Sequence, residues 1–174
     1  MAELLAWLRT RVVQWRIALL WLALAAAVIA AGACEPRAWT LAVAAALLVQ
    51  YRLWDDLEDL PHDRTRAPER VLVRCTELLP FRLALGVSFG LVATLLAWQR
   101  TVAYLLLLAA LAAVYRATAA SAALRSLRVN LVLLKYPAFV LLLSIDPATP
   151  RALAAATVLY VVLVVHEWRD ARAG

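Results

Sequence analysis

Long apolar runs, separated by short charged segments, constrain this chain most. They cover residues 12–33, 38–49, 78–98, 101–118, 131–144 and 151–165. Inside a bilayer each backbone polar group must be satisfied within its own segment, so runs of this kind form helices. Hydrophobic residues make up 66% of the 174, with glycine scarce and a mean hydropathy of +0.79. That is well above a soluble domain. The expected fold is all-α: a polytopic transmembrane helix bundle of about six spans, forming a single domain over residues 1–174.

The joints between the runs are short. Cys34-Glu35-Pro36-Arg37 closes the first span, Gln99-Arg100 turns between the third and fourth, and Asp146-Pro147 with Pro150 precedes the sixth. The first eleven residues read as an amphipathic lead-in carrying Trp7, Arg9 and Arg11, without the pattern of a cleaved signal peptide. Arg16 snorkels to the interface. Cys34 and Cys75 fall on opposite faces in this topology, which argues against a disulfide between them.

Charge sets the orientation. With a cytoplasmic N-terminus, the inner segments carry fourteen arginines, among them Arg64, Arg66, Arg116, Arg125, Arg128 and Arg172, and the outer turns carry three: Arg37, Arg100 and Arg151. The positive-inside bias then puts both termini in the cytoplasm. The net charge of +6 is explained by arginines at the ends of apolar runs, facing anionic headgroups, and no nucleic acid is expected as a partner.

Against this background one stretch stands out. Residues 52–70 hold five acids within nine positions, Asp55, Asp56, Glu58, Asp59 and Asp63, followed by Arg64, Arg66 and Arg70. Asp55 and Asp59 are four apart and share a helix face, with Arg52 and Asp56 close by. Pro61 is expected to end that helix near Leu60, so that Asp63 arrives on a loop and folds back. Clustered carboxylates repel one another, and a divalent cation would offset the repulsion. Oxygen-only ligands favour Mg²⁺, with Mn²⁺ or Ca²⁺ as alternatives. Arginines beside such a site suit phosphate oxygens, which points to a lipid diphosphate.

The stretch resembles the first aspartate-rich motif of the UbiA-type intramembrane prenyltransferases. That motif, N-D-x-x-D-x-x-x-D followed by an arginine-rich stretch, is matched here by Asp55-Asp56-x-x-Asp59-x-x-x-Asp63 and then Arg64-Thr65-Arg66-Ala67-Pro68-Glu69-Arg70-Val71-Leu72. Asp55 stands where the family usually has Asn. The resemblance implies Mg²⁺-dependent prenyl transfer within the membrane, from an isoprenoid diphosphate to an acceptor that is often aromatic. Asp55, Asp56, Asp59 and Asp63 would be the catalytic, metal-holding carboxylates, and Arg52, Arg64, Arg66, Arg70 and Lys135 would bind the diphosphate. A second aspartate motif in that family is approximated here by Glu167 and Asp170 as further metal ligands. Family members usually have eight or nine spans. The chain is thus expected to be a C-terminally shortened relative, completed by a partner subunit or a second copy, or inactive.

Two other readings stand beside this one. CDP-alcohol phosphotransferases match the size, but their motif needs a glycine, and none occurs between Gly32 and Gly86. A non-catalytic, degenerate homologue would bind lipid or a membrane partner, with its acids paired to neighbouring arginines. Lys135 then snorkels to the interface, and Glu167 and Asp170 form a polar helix end.

Overall fold

A computed structural model of the protein describes residues 2–33, 37–120 and 127–173. Among these the chain is helical, and the strand-like feature is one isolated bridge between Ala33 and Ser144. The helices group into two compact units, one of Met1–Trp21 with Val43–Leu95 and the other of Leu22–Ala42 with Leu96–Gly174.

The first unit begins with α1 (Ala2–Trp7), which runs directly into a π-helical turn, Leu8–Val12. The wider winding shows in the Val13 N–H, which donates to the Leu8 carbonyl at 3.0 Å. The chain then bends by 68° into α2 (Trp15–Ala31). Within α3 (Arg37–Glu58), residues 43–58 belong to the first unit.

Pro61 explains the break that follows. It has no N–H for the Leu57 carbonyl, so α3 stops at Glu58 and a new helix, α4 (Leu60–Arg66), starts with Pro61 in its first turn. The Asp59 carbonyl accepts from the N–H groups of His62 and Asp63, both at 2.9 Å. Asp63 therefore lies on a helix, where the sequence suggested a loop. The one-turn helix α5 (Val71–Arg74) and α6 (Leu79–Leu95) complete the unit. Its core is Trp7, Leu53, Leu60, Leu72 and Phe81, with Leu4, Leu8, Leu57 and Leu85 packed against them. This core joins the N-terminal segment to α3, α4, α5 and α6.

The second unit contains α7 (Trp98–Ala120), α8 (Arg128–Leu133), α9 (Lys135–Leu143) and α10 (Pro150–Ala173). Helix α9 packs on α10 and α7. Phe139 and Val140 are fully buried there, and so is Ala152. Gly32, at φ +85°, ends α2 in the left-handed conformation that suits glycine. Its carbonyl accepts from the Ile145 N–H at 2.8 Å. Thr149 caps α10, its hydroxyl accepting from the Ala152 N–H at 3.2 Å, and Pro150 takes the first helical position.

About six spans were expected. Among the described residues, Trp98–Ala119 and Pro150–Arg169 are long and apolar enough to cross a membrane, and a third is reached if the bent pair Ala2–Val12 and Trp15–Ala31 counts as one span. Leu79–Leu95 and Asn130–Leu143 are apolar but shorter. The expected fifth span is divided at Leu134 into α8 and α9. Arg125 and Cys34 lie outside the described residues, as do the side chains of Arg37, Asp170 and Arg172. Cys75 is a free thiol.

Candidate functional site

Asp56 is the centre of the acidic stretch, and it is buried at 5% exposure. Both of its oxygens are occupied from the N-terminal segment. The Trp7 indole N–H donates to Oδ2 at 2.9 Å. The Arg11 guanidinium donates through Nε to Oδ2 at 2.9 Å and through Nη2 to Oδ1 at 2.6 Å. Arg52, one turn back on α3, adds an ion pair at 3.6 Å. Trp7 and Arg11 are four residues apart, so both reach the same carboxylate.

Asp56 lies beyond the apolar part of α3, which ends near Val49. Burial pushes its carboxyl up. The Arg11 hydrogen bonds, the Arg52 and Arg11 charges and the Trp7 indole outweigh that and hold it below its ordinary value. A buried carboxylate without such partners would be expensive, and a fork-to-fork arginine pair with an added indole satisfies both oxygens.

Asp63 repeats the pattern on α4. It is buried, and the Arg70 guanidinium donates to its Oδ2. The backbone makes this pair possible: α4 ends at Arg66, and the turn through Ala67 brings Arg70 back under the helix. Beside the cluster, the Trp54 indole donates to Glu58 at 3.1 Å and its ring meets Phe89 edge-on at 5.3 Å.

The expected site residues therefore separate. Asp56 with Arg52, and Asp63 with Arg70, come together as ion pairs. Asp55 and Asp59 are half-exposed, while Arg64 and Arg66 are exposed on α4. Lys135 belongs to the other unit, where it is buried at 1% and its ammonium lies 5.2 Å from the centre of the Tyr136 ring. Glu167 is exposed on α10, also in that unit. Trp7 and Arg11 were missed as site residues, because an N-terminal amphipathic helix reads as an interfacial segment. Their spacing of four, upstream of an acid-rich helix, was the available signal.

The donor set has the right chemistry for Mg²⁺, since every candidate offers oxygen. The arrangement does not fit it. Arginine and indole donors cover Asp56, Arg70 covers Asp63, and no group of three or more His, Cys, Asp or Glu among the described residues is placed to hold an ion.

Fold and site together define an all-helical protein with two to three helices able to cross a membrane, carrying a charged cluster locked by internal ion pairs. No family model, curated protein or solved structure matches the chain.

Proposed function

We propose that this chain is a non-catalytic relative of the UbiA-type prenyltransferases, one that binds an isoprenoid diphosphate at its charged stretch without transferring the prenyl group. The reading includes the topology expected from the sequence, about six membrane passes with both termini and the charged stretch in the cytoplasm. One observation carries the reading. Two of the four aspartates expected to hold metal, Asp56 and Asp63, are buried against Arg11 and Arg70. Arg64 and Arg66, exposed on the same short helix, are left to meet a diphosphate. Arginine recognises phosphate oxygens in bidentate fashion and does so without a metal.

The test is a thermal-shift series on the detergent-solubilised full chain with isoprenoid diphosphates of increasing length, in EDTA and in Mg²⁺. The reading expects stabilisation that persists in EDTA and is lost in the Arg64→Gln/Arg66→Gln double variant. No stabilisation under either condition overturns it.

A second reading retains Mg²⁺- or Mn²⁺-dependent prenyl transfer to an acceptor. It would place the ion at Asp55 and Asp59, which are half-exposed and four residues apart around the end of α3. Stabilisation confined to Mg²⁺, together with release of diphosphate on adding an aromatic acceptor, would select it. A partner subunit or a second copy would then supply the helices that the family has beyond six. The CDP-alcohol phosphotransferase reading gains no support from any geometry of the site.

A further inference from the structure

At the bend between the π-helical turn and α2, the first unit opens a groove of about 440 Å³. Val13, Trp15, Ala18 and Trp21 line one side, and Leu48 and Val49 of α3 line the other. Val13 is 76% exposed and Trp15 67%. On a membrane span such side chains face lipid, and a concavity among them is a place where one lipid can seat. The lining of the groove is apolar apart from Gln14. It suits alkyl chain, and the groove's volume lies within the range of roughly 300–1,000 Å³ of small-molecule sites.

The rim is basic. Arg16 is exposed, and its guanidinium carbon lies 5.7 Å from the centre of the Trp15 ring, beside the groove wall. Arg9 is exposed on the preceding turn, and residues 4–34 contain no acid at all. Gln14, the polar side chain in the lining, donates its amide N–H to the Thr10 carbonyl. A cation above an apolar groove, flanked by tryptophans that favour the headgroup level, matches a molecule with an alkyl tail and an anionic phosphate head.

We propose that this groove is a binding site for one anionic glycerophospholipid, with an acyl chain along Trp15, Ala18, Trp21 and Leu48 and the phosphate at Arg16. The site is separate from the Asp56 cluster and independent of the isoprenoid reading.

The test measures the Tm of the full chain in mild detergent with added phosphatidylglycerol, with phosphatidylcholine, or with inorganic phosphate. Phosphatidylglycerol should raise the Tm by several degrees more than phosphatidylcholine does, and inorganic phosphate should leave it unchanged. Arg16→Gln, on an exposed position, should remove the preference for phosphatidylglycerol. Ala18→Trp, which fills the groove from an exposed position, should weaken the response to both lipids. Equal shifts from the two lipids on the unaltered chain would overturn the proposal. So would a preference that survives Arg16→Gln, or an equal shift from inorganic phosphate.

Discussion

The Trp7 indole N–H and the Asp56 carboxylate meet at 2.9 Å across 49 residues of sequence. With Arg11 on the same carboxylate, this contact fastens the N-terminal segment to the end of α3. It converts the most acidic part of the chain from a repelling cluster into a cross-link.

Breaking that cross-link should be costly. Asp56→Asn removes the main counter-charge of a half-buried Arg11 guanidinium; breaking a fully buried pair costs about 3–5 kcal/mol, and the partial exposure of Arg11 brings the expected loss to about 2–3 kcal/mol. Trp7→Phe keeps the ring and removes one donor, at about 1–3 kcal/mol. Chemical denaturation of both variants and of the double variant should show a double-mutant total smaller than the sum, because the two residues share one interaction. Strict additivity would contradict the shared contact.

Acid should undo the same link. The folded pKa of Asp56 lies below its ordinary value. Its contribution is therefore fully present above the unfolded pKa of about 3.9 and lost as pH falls through the folded value. The Tm gap between the unaltered chain and Asp56→Asn should be constant near neutrality and shrink below about pH 4. A gap that widened on acidification would reverse the assigned sign.

Cys75 should be a sluggish nucleophile. Burial, then the S–H hydrogen bond donated to Glu3 and repulsion from the Glu3 charge, push its thiol up to about 11. At pH 8 its maleimide labelling should run on the order of 100-fold slower than that of an ordinary exposed cysteine, since the thiolate is the reacting form. Glu3→Gln should recover part of that rate. An ordinary rate in the unaltered chain would show that Glu3 does not face Cys75.

Gly32 offers a backbone test in the other unit. Its φ of +85° is unfavourable for a side chain, yet an added Cβ would meet nothing within 4 Å. Gly32→Ala should therefore cost about 1–2 kcal/mol through backbone strain alone, and Gly32→Asn less, because Asn tolerates this region. Equal losses in the two variants would point instead to steric crowding.

Much of this structure was legible in the residues. The helical class follows from the apolar runs, and the break at Pro61 follows from a missing donor. The helix boundaries were less so. The division of α8 from α9 at Leu134 goes with Pro137, which has no N–H for the Leu133 carbonyl, although the apolar run around it reads as one span. Asp63 was placed on a loop because Pro61 was read only as a terminator, although its fixed φ also starts the next helix.

By itself the sequence determined the chemistry on offer: apolar helices, four aspartates at one helix end and arginines on either side. Only the tertiary structure decided how those charges are spent. Coulomb attraction does not record sequence distance, and burial makes a bare carboxylate too costly to leave. Once the hydrophobic core seats Trp7 against Leu53 and Leu60, Arg11 is carried to Asp56, and the nearest cation takes the place that the motif alone would assign to a metal.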